Sequence, residues 1–156
     1  MSRRSVIKKR YPQPDSNYNS CLVSLLTARI LKSGKKSLAD SIILETFALV
    51  QEKTDSDALQ VFEKAIQNIT PLVEVKARRI GGSTYQVPLE VSRYRGTNLA
   101  LRWLIAAAKA RAGRTISIKL ASEIIDASNN VGNAMRKREE THRMAEANKA
   151  FAHFRY

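Results

Sequence analysis

The residues of this chain best equipped for chemistry are cations, and their chemistry is phosphate recognition. Lys76, Arg78 and Arg79 precede Gly81 and Gly82, with Tyr85 shortly after. Guanidinium groups take phosphate oxygens two at a time, and paired glycines let a backbone approach a polyanion closely. Tyr85 can stack on a base or cover the face of its own element. Arg93, Arg95, Arg102, Lys109, Arg111 and Arg114 continue the series, and no carboxylate stands between Val91 and Ser122. Arg3, Arg4, Lys8, Lys9 and Arg10 crowd the start of the chain, and Lys35 and Lys36 follow Gly34.

The residue types that usually make and break bonds are poorly placed. Cys21 falls on an apolar helical stripe, which predicts a buried thiol. His142 and His153 have no companion at metal-ligand spacing. Glu139 and Glu140 lie among Arg136, Lys137, Arg138 and Arg143, the pattern of an exposed helix with ion pairs along it. Phosphate-loop, dinucleotide and nucleophile-elbow motifs are all missing. The expectation is a protein that is not an enzyme, with no cofactor, metal or small-molecule substrate.

Charge sharpens the reading. The net charge is +13, and residues 1–11 and 76–114 supply it, because the remaining two stretches nearly cancel. Clustering of this kind is the footprint of nucleic-acid binding. The apolar run near Leu104 to Ala108 is too short to span a bilayer, so no membrane association is expected. No apolar stretch of the secretory type follows the basic start. A single cysteine excludes a disulfide framework.

Several elements must hold these cations in place. At 156 residues the chain suits one domain, able to bury roughly 70% of its unfolded surface. Residues 1–19 lack period and read as a flexible basic arm; residues 20–156 read as one helical domain. Leu22, Leu25, Leu26 and Ile30 mark a first helix, stopped by Ser33 and Gly34. Ser37 with Asp40 suggests the cap of a second, carrying Leu38, Ile42, Ile43, Phe47 and Val50. A third opens near Asp57 with Leu59, Phe62, Ile66 and Ile69, and ends before Pro71. Residues 72–91 alternate around Gly81 and Gly82 as a β-hairpin with almost no apolar surface to bury. A fourth helix runs from near Asn98 through Leu101, Leu104, Ile105 and Ala108, with Trp103 in the core, to Gly113. A fifth, with Ser117 as cap, carries Leu120, Ile124 and Ala127. The last starts near Asn133, with Met135 and Met144, and runs toward Phe151. The expected fold is mainly α: about six helices with a protruding two-stranded hairpin between the third and fourth. A rigid block of this kind presents basic patches at fixed separations, which suits folded RNA, read mostly through shape, phosphate and ribose. No dimerisation seam of the kind common in DNA readers is visible.

Long strings then become recognisable. Gly34-Lys35-Lys36, KARRIGGSTYQVP at 76–88, ALRWL at 100–104 and KREETHRMAEANKAFAHFR at 137–155 resemble small-subunit ribosomal protein seven of the bacterial and plastid type. The resemblance covers essentially the whole chain. It implies a structural constituent of the small subunit that binds the three-prime major domain of the ribosomal RNA and nucleates head assembly. It also implies a position near the exit transfer-RNA site and the outgoing messenger RNA, beside other proteins of head and platform. Carried onto matching positions, Arg3, Arg4, Lys8, Lys9, Arg10, Lys35, Lys36, Arg95, Arg102, Lys109, Arg111 and Arg114 would hold ribosomal RNA. Lys76, Arg78, Arg79, Gly81, Gly82 and Tyr85 would face the exit site, as would Arg143, Lys149 and Arg155 from the C-terminal helix. The run EETHRMAEANKAFAHFR resembles the cyanobacterial and plastid branch, and no transit peptide is read ahead of the arm. A plastid-encoded protein of the chloroplast stroma is therefore expected, with a cyanobacterial cytoplasm as the alternative. The other functions open to such a surface are a free regulator binding its own messenger RNA and a DNA-compacting protein.

Overall fold

Helix α5 (Ile116–Ser128) is the centre of the molecule, touching α2, α3, α4 and α6. A computed structural model describes residues 12–154, in the order α1 (Cys21–Ile30), α2 (Lys36–Thr54), α3 (Ala58–Ile69), β1 (Val73–Ile80), β2 (Ser83–Glu90), α4 (Arg93–Ala110), α5, α6 (Asn133–Ala147) and a 3-10 segment (Lys149–Phe154). The mainly helical fold with one antiparallel hairpin between α3 and α4 is as expected.

The core is one cluster of aliphatic and aromatic side chains. Phe47 of α2 and Phe62 of α3 meet with ring centroids 5.5 Å apart, and Leu101, Leu104, Leu120 and Ile124 close around them from α4 and α5. Full burial of one such side chain stabilises by roughly 1.5–3 kcal/mol. Alanines at 65, 100, 108, 121, 127 and 134 let the helices approach closely. Trp103 packs, partly buried, against this cluster.

Several local expectations are corrected, each for a geometric reason. The inward stripe of α1 is Val23, Leu26 and Thr27, so Cys21, two residues before Val23, points the other way and is exposed. The stripe of α2 is Ala39, Ile43, Thr46, Phe47 and Val50, which leaves Leu38 55% exposed. Ser37 caps nothing: α2 already starts at Lys36, because left-handed Ser33 and Gly34 turn the chain directly into it. Ser117 lies inside α5, buried, with its hydroxyl donating to Glu45 at 2.7 Å; Thr115 is the cap. Met144 is exposed because it lies nine residues from buried Met135, half a turn out of phase.

Helix α4 opens at Arg93 rather than near Asn98. Gly96, a poor helix former, hid this first turn. It is tolerated because a Cβ there would stand only 2.9 Å from Thr70 Cγ2; the close approach of α4 to the end of α3 excludes any side chain. Residues 15–19 are also less free than expected. Asp15 accepts hydrogen bonds from the amides of Asn17 and Tyr18, and the Tyr18 ring meets Phe47 edge-on at 4.9 Å.

The hairpin has more apolar contact than its sequence promised. Pairing runs from Val73–Glu90 to Ile80–Ser83, which puts Arg78 opposite Tyr85 on one face. Val87 and Pro88 are buried at the base. Tyr85 packs on Phe151 and Phe154 of the C-terminal segment, at 5.1 and 5.9 Å between ring centroids. Of the two roles open to Tyr85, covering its own ribbon comes nearer, except that the cover is supplied by the C-terminal segment.

Helix α6 is latched to the hairpin base by a hydrogen bond from the Leu72 amide to His142 Nε2 at 3.2 Å. Only the neutral ring can accept it. Burial first, and then the charge of Arg138, pull the His142 pKa below its ordinary 6.5, while Glu146 acts in the opposite sense. A depressed folded value means that this contribution is complete above the unfolded pKa and is lost as pH falls through the folded one. Nuclear magnetic resonance titration should show His142 with a midpoint below 6.5, and His142→Gln should reduce the acid sensitivity of the melting temperature. A midpoint at or above the unfolded value would contradict the latch.

Candidate nucleic-acid interface

Lys35 and Lys36 stand exposed where the turn after α1 enters α2. The turn is tight: the Lys35 amide donates to the Lys32 carbonyl and that of Lys36 to Gly34. Helix α2 has no side-chain cap and no acidic residue in its first turn. Its opening amides and two lysines therefore face solvent with the same electrostatic preference, for an anion.

Arg102 and Lys109 are exposed on α4, two turns apart, and Arg114 is exposed in the turn that follows. Among the described residues none of these three is paired with a carboxylate. Arg95, also exposed, is different: its Nε donates to Glu74 at 2.7 Å, and that hydrogen bond, followed by the charge of Glu74, raises its pKa.

Arg111 faces inward. Its Nε donates to Glu123 and its Nη2 to Asp126. Burial acts to lower its pKa, but the hydrogen bonds to Asp126 and Glu123, with their charges, override this and raise it. Glu123 is 0% exposed, and its second oxygen accepts the Ala134 amide at 2.9 Å. One carboxylate thus ties the end of α4 to the start of α6. The position before α6 has to be Gly132, with φ +99°, since a Cβ there would sit 3.0 Å from Glu123 Oε1. Arg138, read from sequence as part of an exposed ion-pair face, also turns inward and donates to the Asn68 carbonyl at the end of α3. Lys137 and Glu140 do form the exposed pair, at 2.7 Å.

On the hairpin, Lys76 and Arg79 are exposed. Gly81 and Gly82 take φ +55° and +90° at the tip, with nothing near where a Cβ would stand, so the tip backbone is open to a ligand. Arg78 is half-buried and donates to the Phe154 carbonyl at 3.3 Å. The C-terminal segment lies on β2, and Arg143 of α6 and Lys149 at the start of that segment are exposed. Arg3, Arg4, Lys8, Lys9, Arg10 and Arg155 lie outside the described residues.

One cation was missed. Arg29 of α1 lies beside Arg102 and Lys109 across a shared groove, with its Nη2 donating to Asn98 Oδ1 at 2.7 Å. Nothing in the sequence around Arg29 announces this, because the groove joins residues about 70 positions apart.

Taken together, these surfaces can bind a polyanion at several fixed points. The described residues hold no cluster of His, Cys, Asp or Glu suited to a metal ion. Comparison with known proteins gives the same direction. The family model described as ribosomal protein S7p/S5e matches residues 2–149. The chain is 62% identical to the small ribosomal subunit protein uS7 of Arthrospira platensis and 64% identical to that of a Synechocystis species, in each case over 156 residues and the full length of both chains. The corresponding protein of Trichormus variabilis is 61% identical over the same span.

Proposed function

The chain belongs to the ribosomal protein S7p/S5e family, and from that premise we propose that it binds the three-prime major domain of small-subunit ribosomal RNA and nucleates head assembly. It is a ribosomal protein of the small subunit and not an enzyme, with ribosomal RNA and neighbouring ribosomal proteins as partners. The observation that carries the finer reading is the set of exposed cations that have no carboxylate partner among the described residues, at the start of α2, along α4 and in the turn after it. They sit on a packed helical block that fixes their separations, as recognition of a folded RNA requires. Arg95 adds a cation already oriented by Glu74.

The hairpin takes a second role. Its exposed Lys76, Arg79, Gly81 and Gly82 reach toward exit-site transfer RNA and outgoing messenger RNA, and Arg143 and Lys149 serve the same site in this reading. Support comes from the contacts of Tyr85 with Phe151 and Phe154, which hold hairpin and C-terminal segment together as one unit. Arg78 strengthens that unit from within. In the same reading the chain works beside head and platform proteins in the chloroplast stroma, as a plastid-encoded product. Its cyanobacterial relatives fit this compartment and equally the cytoplasm of a cyanobacterium.

Crosslinking in cells, followed by sequencing of the attached RNA, tests all of this. Fragments attached at Lys35, Lys36 and Arg102 should come from the three-prime major domain, and those at Lys76 and Arg79 from transfer or messenger RNA. The sequences also tell plastid from cyanobacterium. A pool attached mainly to messenger RNA and absent from small subunits would instead make the chain a free regulator.

A further inference from the structure

The chain lays one of its own aromatic rings and one of its own carbonyls on the two hairpin groups best suited to a nucleotide. Phe151 lies against Tyr85 with ring centroids 5.1 Å apart, and Arg78 Nη1 donates to the Phe154 carbonyl at 3.3 Å. Arg78 and Tyr85 are register partners, so they share one face of the hairpin. We infer that the 3-10 segment, Lys149–Phe154, is a self-ligand: a strap that covers Tyr85 and Arg78 in the free chain and yields them to a base of single-stranded RNA. The inference rests on the reading of the hairpin as facing transfer and messenger RNA, and adds to it an autoinhibitory contact.

The covered pair sets the class of ligand. A tyrosine ring stacks on any base, and a guanidinium beside it takes a phosphate oxygen. The strap supplies the same two features, a flat ring and an acceptor oxygen, to the same two groups. Phe154 extends the ring surface, 5.9 Å from Tyr85 and tilted only 16° from Phe151, as a second stacked base would. The Phe154 carbonyl is a neutral acceptor, and a phosphate binds a guanidinium more strongly.

The strap is also lightly held. None of its six residues is buried, and a 3-10 run of this length is uncommon. Helix α6 ends without its help, because the Asn148 side chain donates to the Met144 carbonyl at 2.8 Å. The hairpin keeps its anchor to α6 through Leu72 and His142. Opening therefore costs little beyond the contacts of the strap itself, as expected of a segment from the low-stability end of a fold. The unit of hairpin and strap is then the resting form, and Tyr85 serves in turn as ribbon cover and as stacking platform.

The test uses the full chain and a fluorescent single-stranded RNA oligonucleotide too short to fold. Phe151→Ala combined with Phe154→Ala removes the competing rings and should tighten binding on the order of tenfold, by raising the fraction of chains competent to bind. Tyr85→Ala added to that pair should abolish the gain. In the wild-type chain, hydrogen exchange at the Phe151 amide, which donates to the Asn148 carbonyl at 3.0 Å, should quicken when the oligonucleotide is added. Equal or weaker binding by the double variant, a gain that survives Tyr85→Ala, or slower exchange at Phe151 would overturn the strap and leave the hairpin reading standing. If neither chain binds the oligonucleotide while both bind a transcript of the three-prime major domain, the exit-site reading falls and the strap with it.

Discussion

Raising the salt from about 50 to about 200 mM is expected to weaken binding of this chain to its ribosomal RNA by roughly a thousand- to a hundred-thousand-fold. The loss is set by the number of counterions that binding releases. Arg29, Lys35, Lys36, Arg102, Lys109 and Arg114 have no carboxylate partner among the described residues, so each is free to displace a cation from the RNA. Contacts to six to ten phosphates give a loss of about that size in duplex nucleic acid, with a gentler slope on single strands. Arg111 is expected to contribute little to the slope, because Glu123 and Asp126 already neutralise it. Fluorescence anisotropy over a salt series measures this directly. An affinity that changes only a few-fold would mean that these cations are solvated rather than engaged.

Glu123→Ala should be the most damaging single substitution in the helical block. The side chain is fully buried and holds two partners, the Arg111 guanidinium and the Ala134 amide. Its removal leaves Arg111 with Asp126 alone and orphans an amide at the start of α6. Breaking one side of a buried charged pair costs about 3–5 kcal/mol. At about 2–4 °C per kcal/mol for a chain of this length, the melting temperature should fall by on the order of 10 °C. Arg111→Met combined with Glu123→Ala should recover part of the loss, since no charge is then stranded. Scanning calorimetry on the single and double variants decides it. A drop below about 2 °C in the single variant would show that water or a rearranged Asp126 replaces the carboxylate at little cost.

This pair also shows how similar-looking arginines differ. In the sequence Arg102, Arg111 and Arg114 belong to one basic run without a carboxylate, and all three read as RNA ligands. In the fold, Arg102 and Arg114 face solvent, whereas Arg111 meets acids from the next helix. A basic run records charge along the chain, but pairing depends on what packs alongside it.

Much was determined by the sequence by itself. Helical period, Gly34, Pro71 and the paired glycines at 81 and 82 act within a few residues, so six α-helices and a hairpin were legible in order. The concentration of charge in residues 76–114 is a property of the chain alone, and long strings such as KARRIGGSTYQVP carried the family. Tertiary structure decided the rest. It rotated α1 and α2 so that Cys21 and Leu38 face out, and allowed α4 to start before Gly96. It also turned Arg111 and Arg138 inward, set Tyr85 against Phe151, and brought Arg29 across to Arg102. The physical reason is one of range. Period and turn chemistry are local, but the direction a helix face points, and the partner a charge finds there, are fixed by residues about 12 to 76 positions away.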